Sequence, residues 1–133
     1  MAKLNGIAAS ACGSRRDMQS QARSRGQPWD MAKAFDASAQ IARIQPVERF
    51  GHPSTNAIWL RVNGEARQRS TLDQMIWSVP EQIAFLSEYY TLEPGDIIFS
   101  GTPAGVGPVK AGDDLLAGIE GVGELKVKIV PAL

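Results

Sequence analysis

A lysine, a threonine and three closely spaced glycines are the residues of this sequence best suited to chemistry. Thr102 stands in the stretch Gly95-Asp96-Ile97-Ile98-Phe99-Ser100-Gly101-Thr102-Pro103-Ala104-Gly105-Val106-Gly107. Pro94-Gly95 predicts a turn, and Ile97, Ile98 and Phe99 predict a short buried strand. The small residues that follow let a backbone come close to a ligand, and Thr102 supplies a hydroxyl at the strand's end. The glycines do not make a G-x-G-x-x-G fingerprint, and no Lys-Ser/Thr follows as in a P-loop. Spacing therefore names no ligand, and the plainer reading is a tight loop between two strands, since Gly and Pro are ordinary turn punctuation. Lys33 lies among small residues and close to Phe35. A lysine beside an apolar wall can present a fixed positive charge to an anionic substrate, although most lysines are simply exposed. His52 is the one histidine, in the loop Gly51-His52-Pro53-Ser54. It is a possible base by chemistry, but a loop histidine without a flanking ligand pattern reads as a surface residue.

The elements that must position these residues are short. Arg15 to Arg25 predicts a helix stopped near Gly26, with Met18 and Ala22 as a thin apolar stripe and its arginines on a solvated face. Gly26 to Trp29 is a turn, and Asp30 to Asp36 is ambiguous. Ile41 to Phe50 alternates irregularly, with Pro46 marking an edge or a loop. Ala57 to Val62 and Glu65 to Arg69 predict a hairpin around Asn63-Gly64, whose residues both accept positive φ. Thr71 to Trp77 predicts a short helical turn. Ser78-Val79-Pro80-Glu81 is a capping box opening a helix to about Tyr89. Val79, Ile83, Leu86 and Tyr90 form its buried stripe, with the aromatic residues read as core. Asp114 to Glu120 and Glu124 to Val130 predict the last two strands, joined by Gly121-Val122-Gly123.

The chain of 133 residues is long enough for one domain with its own core. Lys plus Arg number 14 and Asp plus Glu 14, a balance that argues against nucleic acid or an acidic membrane surface as partner. No run approaches the about eighteen apolar residues of a membrane span. One cysteine, Cys12, allows no internal disulfide and fits a reducing compartment, so a cytoplasmic location is expected. Met1 to Ser14 has no strand or helix period. Its apolar run Ile7-Ala8-Ala9 is too short for a signal peptide, so an irregular or displaced terminus is expected.

Several segments then occur in a telling order: Arg16-Asp17-Met18-Gln19, Pro28-Trp29, Ala32-Lys33-Ala34-Phe35-Asp36, Val62-Asn63-Gly64-Glu65, Met75-Ile76, Leu92 to Ile98, and Gly101-Thr102-Pro103-Ala104-Gly105-Val106-Gly107. Together they resemble the C-terminal part of the catalytic domain of the fumarylacetoacetate hydrolase family, from about Arg15 to Val130, in wording nearest to its fumarylpyruvate-cleaving members. The resemblance implies an α+β, mainly β fold: mixed, barrel-like β-roll sheets with a few short helices, usually dimeric. It implies a Mg2+ or Mn2+ ion held by a Glu-x-Glu motif and one aspartate, and a small 2-oxo acid as substrate. A water activated by a His/Glu pair attacks an acylpyruvate, the C–C bond breaks and pyruvate leaves as its enolate, in the breakdown of aromatic compounds. Carried over residue by residue, Gln19 is a hydrogen-bonding contact to the substrate. Lys33 stabilises its negative charge, Gly101 and Thr102 hold its carboxylate, and Arg16 and Asp17 support the structure.

The departures are as informative. The sequence contains no Glu-x-Glu, and His52 does not match the family's catalytic histidine. The aspartate ligand's position, five residues before Asp17, is occupied by Cys12, and thiolate is a poor ligand for a hard cation. The expectation is an N-terminally truncated or frame-shifted domain: residues 1–14 as a non-family terminus and residues 15–133 as a partial catalytic domain that does not itself bind the metal. The alternatives are a non-catalytic module that binds 2-oxo acids, or a decarboxylase or isomerase of the same family.

Overall fold

The Asn63-Gly64 turn lies within the largest piece of regular structure. In the computed structural model, which describes Leu4 and residues 6–131, these two residues take φ of 52° and 84°. That is the mirror-image turn whose twist matches a right-handed strand pair. It joins β5 (Ala57–Val62) to β6 (Glu65–Thr71), two residues longer than the sequence predicts. The first four strands are β1 (Gly6–Ile7), β2 (Ser10–Cys12), β3 (Ala39–Ile41) and β4 (Gln45–Pro46); the last two are β7 (Asp114–Ile119) and β8 (Gly123–Lys128). Four strands form one sheet in the order β6-β5-β7-β8, and every pairing in it is antiparallel. The short helices are α1 (Arg16–Ser24), α2 (Asp30–Lys33), α3 (Val47–Phe50) and α4 (Val79–Ser87), with one 3-10 turn at Leu72–Gln74. The architecture is mainly β with a few short helices, as the resemblance implies.

The β5–β6 ladder carries one irregularity. Leu60 faces Gln68, but Arg61 faces Ala66, so Arg67 is the extra residue of a β-bulge. A bulge bends its strand and re-aims the neighbouring side chains.

Residues 6–12 are not irregular. β1 pairs with β4, Gly6 opposite Pro46, and β2 pairs with β3, Ser10 opposite Ile41 and Cys12 opposite Ala39. Proline at an edge position costs no central ladder bond. Ala9, between the two short strands, is buried with Leu72, Ile119 and Val122 in the core, and Ile7, Ala42, Ile58 and Met75 pack against it. Small side chains gave no period to read, yet their size is what lets Ala9 sit in the core.

Two further expectations are corrected. Ile97, Ile98 and Phe99 are neither in a strand nor buried, being 53%, 38% and 47% exposed. β-branched and aromatic residues make a strand only with a partner, and no described strand pairs with them. The aromatic residues around α4 are not core: Trp77, Phe85, Tyr89 and Tyr90 are all exposed. Trp77 instead meets Phe85 edge-on at 4.9 Å, and Phe85 meets Tyr89 at 5.3 Å. The helix itself starts as read. The Ser78 N–H donates to Glu81 at 2.7 Å, the Glu81 N–H reaches Ser78 Oγ at 3.5 Å, and Pro80 lies within the first turn. Such a cap contributes about 1 kcal/mol. The helix stops at Ser87, and the stripe residue Tyr90 falls outside it.

Candidate functional site

Lys33 ends α2, and its Nζ donates to Ser14 Oγ at 2.7 Å. Ser14 follows β2, so the ammonium is tied to the segment between β2 and α1. Backbone bonds fix that segment: Gly13 N–H to Ser38 O at 2.7 Å and Arg15 N–H to Ala32 O at 3.0 Å. Ala32 is buried beneath them. The cation lying on the Phe35 ring is Arg15, at 4.5 Å from its centroid, and not Lys33, whose recorded partner is Ser14. Gln19 is half-buried on α1, and Arg16 and Asp17 are exposed beside it. The hollow between α1 and α2 is lined by Met18, Ala22, Pro28 and Met31 among others, and by none of the predicted site residues.

Thr102 belongs to a second cluster, built on the bulge of β6. Gln68 donates from Nε2 to Thr102 Oγ1 at 2.9 Å and to Pro103 O at 2.7 Å. Gly105 has φ of 97°, and a Cβ there would collide with the Arg67 carbonyl. Glycine is therefore required at 105 both by conformation and by contact. The glycine-rich segment is a loop draped over the bulged strand rather than a link between two strands. Its approach is a turn at Glu93-Pro94-Gly95-Asp96, closed by Asp96 N–H to Glu93 O at 3.1 Å. Its exit is pinned by Asp113, a buried carboxylate that accepts from Lys110 N–H and from Asn63 Nδ2, each at 2.9 Å. These two bonds, the Lys110 one first, hold the Asp113 carboxyl below the usual carboxylate range.

Among the described residues no hydrogen bond joins Gln19, Lys33 and Thr102 to one another. Lys33 and Thr102 each have a local anchor instead, and sequence reasoning found neither Ser14 nor Gln68. His52 is exposed in its loop. Cys12 is exposed, with its thiol toward Gly13 O at 3.8 Å. No group of three or more His, Cys, Asp or Glu side chains among the described residues could hold a metal ion. A soft thiol stands where the resemblance puts the family's aspartate, so the described residues do not fit Mg2+ or Mn2+. No described helix is long and apolar enough to cross a membrane.

The family described as fumarylacetoacetate (FAA) hydrolase C-terminal matches residues 4–130, which takes in the first two strands. The mitochondrial oxaloacetate tautomerase FAHD1 of Bos taurus is 46% identical over 114 residues, 86% of this chain and 52% of that protein. A fumarylpyruvate hydrolase of Ralstonia sp is 43% identical over 129 residues, 97% of this chain and 67% of that protein. The crystal structure of a fumarylpyruvate hydrolase from Pseudomonas aeruginosa in complex with Mn2+ and pyruvate superposes with a TM-score of 0.93 at 48% identity. That superposition covers 96% of this chain and 55% of the hydrolase. The chain thus spans about half the length of the tautomerases it matches. On a match of residues 4–130 and identities above 40% to two curated relatives, this chain belongs to the fumarylacetoacetate hydrolase family.

Proposed function

We propose that this chain is the carboxylate-holding part of an enzyme that cleaves a C–C bond in an acylpyruvate such as fumarylpyruvate, in the cytoplasmic breakdown of aromatic compounds. The observation that carries the reading is the likeness to a hydrolase whose crystal structure contains pyruvate. Lys33, held through Ser14, opposes the negative charge of the 2-oxo acid. Thr102 offers its hydroxyl and backbone N–H to the carboxylate, Gly101 lets the backbone approach, and Gln19 donates a further hydrogen bond. This division of labour follows elementary electrostatics, since a carboxylate is best held by a charge and by donors already in place. The metal is not held by this chain alone. A homodimer is the assembly expected of the family.

A second reading has specific support. The tautomerase relatives suggest keto–enol conversion of oxaloacetate, a reaction on the same 2-oxo acid group without C–C cleavage. The test supplies the chain with the Glu-x-Glu segment of a fumarylpyruvate hydrolase and the substitution Cys12→Asp, adds Mn2+, and incubates the product with fumarylpyruvate and, separately, with oxaloacetate. Pyruvate release from the first supports the hydrolase. Loss of the oxaloacetate enol band with no pyruvate release replaces it with the tautomerase. Pyruvate binding without either reaction replaces both with a non-catalytic 2-oxo-acid-binding module.

A further inference from the structure

We propose that Gln68 is a positioning residue that turns the Thr102 hydroxyl into a hydrogen-bond donor aimed at the ligand's carboxylate; the role rests on the reading of Thr102 given above. A threonine hydroxyl has one proton to give and two lone pairs to receive with. Gln68 Nε2 fills a lone pair at 2.9 Å, and its other proton goes to the Pro103 carbonyl at 2.7 Å. The amide's orientation is decided by chemistry, because a carbonyl can only accept and Gln68 must therefore present its NH2 to Pro103. With that one donor occupying a lone pair, the Thr102 proton is left to point outward, where Thr102 is exposed. The bulge supplies the reach. Arg67 occupies the extra position, its carbonyl meets Gly105, and Gln68, the next residue, is brought against Thr102 and Pro103.

The experiment titrates pyruvate into the chain and its variants by saturation-transfer NMR, with backbone relaxation of residues 101–107 recorded alongside. In the unsubstituted chain the Gln68 side-chain amide protons are expected to be protected from exchange. Gln68→Ala should mobilise the loop and weaken pyruvate binding roughly five-fold or more, the loss of about one hydrogen bond. Gln68→Glu should weaken it further, because the introduced carboxylate accepts the Thr102 proton and turns it inward. That loss should reverse as the pH falls toward the about 4.3 of an ordinary glutamate, when the protonated carboxyl donates again. A merely structural role gives no such pH-dependent recovery. Pyruvate binding by the unsubstituted chain with unchanged affinity in Gln68→Ala overturns the role of Gln68 alone. No pyruvate binding by the unsubstituted chain, with an ordered loop, overturns the reading of Thr102 and the role of Gln68 with it.

Discussion

Lys33 has three N–H donors and Ser14 accepts one of them, which leaves two for an anion. Thr102 is held from behind by Gln68, so its part is to bind rather than to respond to charge that develops during reaction. The two should therefore separate kinetically. In a fumarylpyruvate assay of the chain supplied with the family's Glu-x-Glu segment and Cys12→Asp, Lys33→Met should lower kcat by the equivalent of about 1.5–3 kcal/mol, the worth of a hydrogen bond to a charged group. Only an interaction stronger in the transition state affects kcat in this way. Thr102→Val should mainly raise KM, by about 1–3 kcal/mol. Unchanged kinetics at unchanged melting temperature would remove both residues from the site. At Cys12 the expectation is the reverse, a missing interaction. Isothermal titration of Mg2+ into the chain should give no saturable heat at submillimolar concentration, and tight binding would contradict the absence of a ligand set among the described residues. Lys33 and Thr102 are proposed for the site from the ordered motifs around them. The Gln68–Thr102 contact was not legible in the sequence, because the partners lie 34 residues apart and a bulge brings the two together.

At the scale of elements, the β5–β6 hairpin is locked to the start of β7 by one amide and one carboxylate. Asn63 Oδ1 accepts from Asp114 N–H at 2.9 Å, while its Nδ2 donates to Asp113. Asp113 also takes the Lys110 N–H, so one side chain ties together the hairpin turn, the end of the long loop and β7. Its folded-state pKa is lowered by those bonds. The stability it contributes is complete above an unfolded-state value of about 3.9 and is lost as the pH falls through the lower folded-state value. Asp113→Asn leaves one acceptor where two donors arrive. The variant should have a lower denaturation midpoint than the unsubstituted chain at neutral pH, with the gap narrowing below about pH 4. A gap that stays constant from neutral to acid pH in urea titrations would show that the carboxylate's charge has no part in the lock. The elements that the sequence announced are those whose signals are local: Asn63-Gly64 sets its own turn, and Ser78 and Glu81 cap each other within one helical turn. Ile97–Phe99 misled because strand formation depends on a neighbour, and sequence pattern registers only the propensity.

The whole molecule has more surface than its mass calls for. It exposes 9980 Å² at 14.3 kDa, against about 6,800 Å² for a compact monomer of that mass. Large apolar side chains are among what is exposed. Ile76 is 97% exposed, and Ile97, Ile98 and Phe99 lie in one unpaired run. No large side chain is fully buried among the described residues, and the buried cluster contains one alanine among its four residues. Hydrophobic burial is the main favourable term in folding, so a core this small leaves little to offset chain entropy. The difference of roughly 3,000 Å² exceeds the about 1,600 Å² that a standard protein–protein interface removes from water. Association is the direct way to cover such a surface, and an exposed segment of high β-propensity is where it should start. At micromolar concentration, sedimentation velocity should therefore show species heavier than the 14.3 kDa chain. Ile98→Lys, which puts a charge in the middle of the run, should shift the distribution toward monomer with little change in helix or sheet content, since Ile98 is in neither. A chain that sediments as one compact monomer, and that gains nothing from Ile98→Lys, would mean that this surface is tolerated by water as it stands.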